Sequence, residues 1–369
     1  MKKITLSTCT LLLTALLLWG CGQEIPKEPC VKNLIFLIGD GMGLAHASML
    51  QVEEDYRPTA FDRAENVVLT KTRSLNNRVT DSAASGTALA TGHKTNNSHL
   101  GVTPEGEPLI SMMERAHEEG WATGLVVTYY LQHATPAAFY AHRMHRNDRE
   151  GISHDLLACD YDLLVGGGGK WLAETCDAEG SFFDAFARKG YHRATTLAEI
   201  EATERTPLLG VVAERGLPSP EERGDFLPRA TAKSLQLLSE EAARRGEGFM
   251  LMVEGSLIDM ASHDEDLPAT LAEMRDFEKT AQVAIEFADR NPGTLVVIAA
   301  DHETGGVLMT SNESDFTQAE SGLLHKFGCS SHTASMVPIY LYGTGADRIN
   351  GVMENSAFSQ RLHQLLGVQ

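Results

Sequence analysis

Leu34-Ile35-Phe36-Leu37-Ile38-Gly39-Asp40 is an apolar run that turns acidic only at its last residue. Two later stretches repeat the pattern: Phe249-Met250-Leu251-Met252-Val253-Glu254, and Leu295-Val296-Val297-Ile298-Ala299-Ala300-Asp301. Continuous runs of Ile, Leu and Val read as strands buried on both faces of a parallel sheet. Ligands of such sheets bind beyond the carboxyl ends of the strands. Asp40, Glu254 and Asp301 are therefore expected to converge on one crevice. Three neighbouring carboxylates repel one another unless something positive lies between them, and divalent metal ions answer that need.

Strand and helix patterns alternate outward from these runs, which implies an α/β fold with a doubly wound, mostly parallel central sheet flanked by helices. Strands are expected at 31–38, 122–128, 161–165, 294–299 and 337–342. Helices are expected at 82–91, 109–119, 269–289 and 356–366. Residues 175–228, with Pro207, Pro218 and Pro220, read as helices and loops decorating the sheet. The chain has 369 residues and 43% hydrophobic content, enough for one large domain. Its formal charge of −19 argues against a nucleic-acid partner.

The first 21 residues read as targeting sequence. Lys2 and Lys3 precede an apolar stretch from Ile4 to Trp19, and Gly20-Cys21 is similar to a lipoprotein cleavage site. A lipidated Cys21, a tether over 22–30 and a single domain over 31–369 follow, with membrane attachment through the lipid and a place in the bacterial cell envelope, periplasmic or at the surface. In that oxidising setting Cys159 and Cys176 are the expected disulfide, with Cys30–Cys329 a weaker pairing.

Asp40 lies in Gly39-Asp40-Gly41-Met42-Gly43, where glycines allow a tight turn and close backbone approach to a ligand. Asp81 or Ser82 can open the small-residue helix, which places Ser82 where amide N–H groups favour a phosphate. Ser82 needs a base or a metal to become a nucleophile. Asp259 and His263 are four residues apart and share a helix face. Asp301-His302 offers a second Asp/His pair, and imidazole with carboxylate suits zinc. His332 and Arg146 are unremarkable taken alone.

Together these segments resemble the alkaline phosphatase family. The motifs that carry the resemblance are IGDGMG (38–43), TDSAASGTALATGHKT (80–95), HATPAAFYAHRMHR (133–146), VEGSLIDMASH (253–263), AADHETGG (299–306) and SSHTAS (330–335), in the family's order. The resemblance implies two Zn2+ and a third ion, usually Mg2+. Asp259, His263 and His332 would hold the first zinc, and Asp40, Asp301 and His302 the second. Asp40, Thr135 and Glu254 would hold the third ion. Ser82 would be the nucleophile of a phosphoserine intermediate, and Arg146 would grip two phosphate oxygens. His133 stands beside the third site, where some members carry Asp. Met260 stands where many carry Lys, His or Trp. The stretch 304–331 is short for the family, which implies a reduced crown over the site, and a homodimer is a family expectation.

The implied function is hydrolysis of small phosphate monoesters. A related metal-dependent phosphodiesterase or sulfatase is the alternative, and a non-catalytic phosphate-binding lipoprotein a more distant one. Arg146 and the serine motif favour monoesters, because a dianionic terminal phosphate gains most from the guanidinium.

Overall fold

The computed structural model describes residues 31–311 and 323–368. The expected targeting segment with Cys21, the expected tether with Cys30, and residues 312–322 of the stretch expected to form a reduced crown lie outside the described residues. Ten strands form the central sheet: β1 Asn33–Gly39, β2 Asn66–Lys71, β3 Ala122–Tyr130, β4 Leu163–Gly167, β5 His192–Ala194, β6 Leu208–Ala213, β7 Phe249–Gly255, β8 Thr294–Ala299, β9 Val337–Gly343 and β10 Gly351–Glu354. Their order is β10-β2-β9-β8-β1-β7-β3-β4-β6-β5. Only the pairs β8–β9 and β9–β2 are antiparallel.

β1 is buried on both faces, and its side chains alternate between two cores. Leu34, Phe36 and Ile38 enter one, with Phe139 and Met252. Ile35 and Leu37 enter the other, with Phe277 and Leu251. Parallel register aligns Ile38 with both Glu254 and Ala299. The three acid-terminated runs are therefore adjacent strands that end at one edge.

The helix Ser82–Thr91 is buried at every residue. Asp81 caps it by accepting from Ala84 N at 3.0 Å, and Gly92 closes it with φ +75°. Its small residues permit close packing: a Cβ on Gly86 would stand 3.0 Å from that of Ala138. The long helix Leu267–Arg290 joins β7 to β8 across the sheet. No helix among the described residues is long and apolar enough to cross a membrane.

Three expectations are corrected. Residues 175–228 include β5 and β6, which extend the sheet to one edge. β5 is only three residues long and carries little pattern, whereas β6 is a buried apolar run, Leu208-Leu209-Gly210-Val211-Val212-Ala213, set among prolines and charged stretches. The helix expected from Leu109 starts at Met112, because Ser111 accepts from Glu114 N and caps it there. Cys159 and Cys176 are free thiols. Cys159 ends the helix Arg149–Ala158 with its thiol donating to Leu156 O, whereas Cys176 sits in a separate short hairpin, Thr175–Asp177 with Gly180–Ser181.

Candidate metal and phosphate site

The turn after β1 brings Gly41 against the acids. Its φ is +74°, and a Cβ there would stand 2.8 Å from Thr304 Oγ1 and 3.0 Å from Asp259 Oδ1. Gly41 N donates to Asp301 Oδ1 at 3.2 Å, so the turn carrying Asp40 is tied to the end of β8. Asp259 and His263 lie on the helix Leu257–His263 that follows β7. Thr135 lies on the short helix Ala134–Ala137 after β3. His332 arrives on a two-residue strand paired with Glu303–Thr304.

Donor atoms of Asp40, Asp301 and His302 all lie within 4.8 Å of one another. The same holds for Asp259, His302 and His332, and for Asp40, His133 and Glu254. His263 joins the second group, with Nε2 at 3.3 Å from Asp259 Oδ2 and 3.1 Å from His332 Nε2. Thr135 Oγ1 donates to Asp40 Oδ2 at 3.4 Å. Every expected metal ligand is thus brought into one contiguous cluster.

The hydrogen bonds allow a test of whether these residues suit metal ions. His263 Nδ1 donates to Ser330 O at 2.9 Å, and His332 Nδ1 donates to Thr80 O at 2.8 Å. His302 Nδ1 lies 3.2 Å from Thr304 Oγ1, which spends its own proton on Asp259 Oδ1. Each imidazole thereby commits Nδ1–H and turns its Nε2 lone pair toward the carboxylates, as metal-binding histidines do. The Nε2 atoms of His263 and His332, 3.1 Å apart, cannot both present lone pairs unless a cation lies between them; without a metal, His263 takes up a proton that it shares with Asp259. Asp40 Oδ1, Asp301 Oδ2 and both Glu254 oxygens are buried without a hydrogen-bond partner, a costly state for carboxylates. The donor set fits metal ions.

The titration behaviour agrees. Burial, reinforced by Asp301, Asp259 and Glu254, raises Asp40 well above the carboxylate range. Burial likewise pushes Glu254 up to about 8 and Asp301 to about 6. Asp259 differs. Burial raises it, but the hydrogen bond from His263 and the electrostatic pull of the imidazoles around it outweigh that and hold it low. The Asp259 hydrogen bond in turn lifts His263 to about 9. Burial and His332 keep His302 far below its ordinary value, so it stays neutral.

Ser82 Oγ lies 3.3 Å from His302 Nε2 at the start of its helix. Arg146 stands beside it. Nη1 donates to Asp81 Oδ2 at 3.1 Å, and Nη2 lies 3.1 Å from His133 Nε2. Burial, then Arg146 and Arg149, keep His133 neutral, so its Nε2 accepts. Met260 is 39% exposed on the helix that carries Asp259.

Several contributors were not anticipated. Thr304 links Asp259 to His302, and its place two residues after His302 in AADHETGG was the available signal. Asp81 orients Arg146 as well as capping the helix. Buried Ser85 donates to Asp301 O at 2.6 Å and accepts from Asn355 Nδ2 at 2.9 Å, so the last helix, Asn355–Leu366, braces the Ser82 helix. His46 Nδ1 accepts from Gly43 N and its Nε2 contacts Ser262 Oγ, which ties the Asp40 turn to the Asp259 helix. None of these pairings leaves a periodic trace in sequence.

A family model described as alkaline phosphatase matches residues 31–322. The chain belongs to the alkaline phosphatase family. It is 34% identical to alkaline phosphatase 4 of Bacillus subtilis, over 79% of this chain and 65% of that one. It is 36% identical to alkaline phosphatase 3 of the same organism, over 75% of this chain and 62% of that one. The chain therefore spans a little under two thirds of those relatives. A solved structure of a TAB5 alkaline phosphatase mutant with Mg bound superposes with a TM-score of 0.84, at 29% identity, covering 93% of this chain and 100% of the other. The alkaline phosphatase fold, with its large, mostly parallel central sheet, is shared, and the family is metal-dependent.

Proposed function

We propose that this alkaline phosphatase family member hydrolyses small phosphate monoesters to an alcohol and inorganic phosphate, through a phosphoserine on Ser82. One observation carries the reading. Ser82 Oγ sits at a helix N-terminus 3.3 Å from the Nε2 of His302, inside a cluster of buried carboxylates and outward-facing imidazole lone pairs, with Arg146 beside it.

Two zinc ions and a third ion, magnesium, are the proposed occupants. Asp259, His263 and His332 would hold one zinc, and Asp40, Asp301 and His302 the other. Nitrogen-containing sets of this kind suit zinc. The oxygen set of Asp40, Thr135 and Glu254 suits magnesium, and the related TAB5 variant carries that ion. Bound there, the ions would supply Lewis acidity that neutralises phosphate charge and lowers the pKa of a hydroxyl or a water.

The chain's own groups do the rest. Each terminal nitrogen of Arg146 spends one N–H on Asp81 or His133 and keeps a second. Those remaining N–H groups form the fork that takes two phosphate oxygens. Ser82 gives up its proton and its Oγ bonds to phosphorus. The bond from phosphorus to the departing oxygen breaks, and that oxygen leaves as the alcohol once protonated. Water then attacks the same phosphorus, the Oγ–P bond breaks, and Ser82 recovers its proton. The Asp81 cap and the Ser85–Asn355 brace keep the serine on a rigid helix throughout.

The lysines, apolar stretch and Cys21 at the start of the chain support a lipid-anchored envelope protein, and the family supports a homodimer. Activity is tested with nitrophenyl phosphate beside its diester and sulfate analogues, on zinc- and magnesium-loaded protein. The reading expects the monoester to be the best substrate, and a diester or sulfate that turns over faster would replace it.

A further inference from the structure

Arg149 is the first residue of the helix Arg149–Ala158, three positions after Arg146. It makes no contact with the carboxylate cluster. Its guanidinium nonetheless gathers three segments that frame the phosphate site. Nη1 donates to Gln132 O at 3.1 Å and also to the carbonyl of Arg146. Nη2 donates to Tyr130 Oη at 2.9 Å and to Asn147 Oδ1 at 3.1 Å. The guanidinium carbon lies 4.9 Å from the centre of the Tyr130 ring and 5.8 Å from that of Trp171. One planar fork thus pins the end of β3, just before His133, to the loop that carries Arg146.

The consequence concerns Arg146. Its side chain reaches His133 and Asp81 at 3.1 Å each. The bond to His133 holds only if the two backbone segments keep their separation, and Arg149 is the group that bonds both carbonyls. The aromatic shelf of Tyr130 and Trp171, whose rings are 4.5 Å apart, fixes Arg149 in turn. Lysine cannot replace it, because a single ammonium lacks the planar fork.

We propose that Arg149 is a positioning residue for phosphate recognition: it clamps the Gln132 and Arg146 carbonyls so that the Arg146 fork is preset for the phosphate oxygens. The inference rests on Arg146 being the phosphate-binding group of the proposed reaction.

A double-mutant cycle on the full metal-loaded enzyme tests it, with the inhibition constant of inorganic phosphate and the kcat and KM for nitrophenyl phosphate as readouts. Arg149→Met keeps the stem and removes the fork. It should raise the phosphate inhibition constant roughly tenfold in the parent, yet change it by less than about twofold in an Arg146→Ala background. Arg149→Lys should recover little of the loss. A tenfold effect that persists without Arg146 overturns the proposal, as does full rescue by Lys, which would assign the effect to charge. If Arg149→Met does not fold, Tyr130→Phe removes one anchor of the clamp and should give a smaller rise, roughly two- to threefold, again only when Arg146 is present. A Tyr130→Phe effect of equal size without Arg146 overturns it too. A parent that neither turns over the monoester nor binds phosphate refutes the proposed function itself. A parent that does both, with additive mutations, refutes only the clamp.

Discussion

Removing the metal ions should make the protein's stability fall as pH rises, and the buried carboxylates set the size of the effect. Burial lifts folded Glu254 to about 8, against an ordinary value of 4.5. Its pKa is raised in the fold, so its stabilising contribution is complete below 4.5 and is lost as pH climbs through 8. The loss runs at about 1.4 kcal/mol per pH unit. His302 and His133 are depressed from 6.5, so their contributions are lost as pH falls and oppose the trend below 6.5. The clean window therefore lies between pH 6.5 and 8, where Glu254 alone costs about 2 kcal/mol, or about 4 °C in melting temperature at roughly 2 °C per kcal/mol. His263, raised to about 9 but partly exposed, acts in the same direction and is screened by solvent. Bound metal requires ionised carboxylates and neutral imidazoles, so loaded protein should lack this decline. Thermal melts of chelated and zinc- and magnesium-loaded protein at both pH values measure it. Asp40, also raised by burial, acts in the same direction, so the gap between the two forms should widen by at least about 4 °C from pH 6.5 to 8. Equal slopes in both forms, or chelated protein that melts higher at pH 8, would mean that Glu254 is not held protonated in the metal-free fold.

Other perturbations address single residues. Thr304→Val removes the hydroxyl shared by Asp259 and His302; zinc affinity, read by competition with a chromogenic chelator, should weaken by roughly 10- to 100-fold. Gly41→Ala forces a side chain into φ +74° and against Thr304 and Asp259, so urea unfolding should show a loss of about 1–3 kcal/mol together with lower zinc content. Met260→Lys places a cation on the surface of the Asp259 helix and should lower the phosphate inhibition constant roughly three- to tenfold; an unchanged constant would contradict the role assigned to that position.

The central strands were legible because burial on both faces leaves a continuous apolar run, and each run ended on its acid. β8 was read with its observed bounds, 294–299, and β1, β3, β4 and β9 within about two residues at most ends. The candidate ligand cluster was anticipated only through the family motifs, since the spacing of Asp259 and His263 alone could not bring His332 to them from 69 residues beyond His263. The failures have separate causes. β5 is a three-residue strand at the sheet edge, where little pattern is required, whereas β6 is a buried apolar run between β4 and β5 that stands among prolines and mixed charge. Cys159 and Cys176 are near in sequence, but a helix end and a separate hairpin hold them. The links from Arg149 to Gln132, Thr304 to Asp259 and Asn355 to Ser85 are single hydrogen bonds between distant segments. They exist only once the sheet has set the spacing, and no local periodicity reports them.

The most direct measurement is to quench the metal-loaded enzyme in acid during nitrophenyl phosphate turnover and to locate covalent phosphate by peptide mass spectrometry, beside Ser82→Ala. Phosphate should be found on Ser82 in the parent, and Ser82→Ala should lose turnover by at least roughly 10³-fold with its melting temperature and metal content retained. Phosphate on another residue, or near-parent turnover in Ser82→Ala, would contradict a phosphoserine on Ser82.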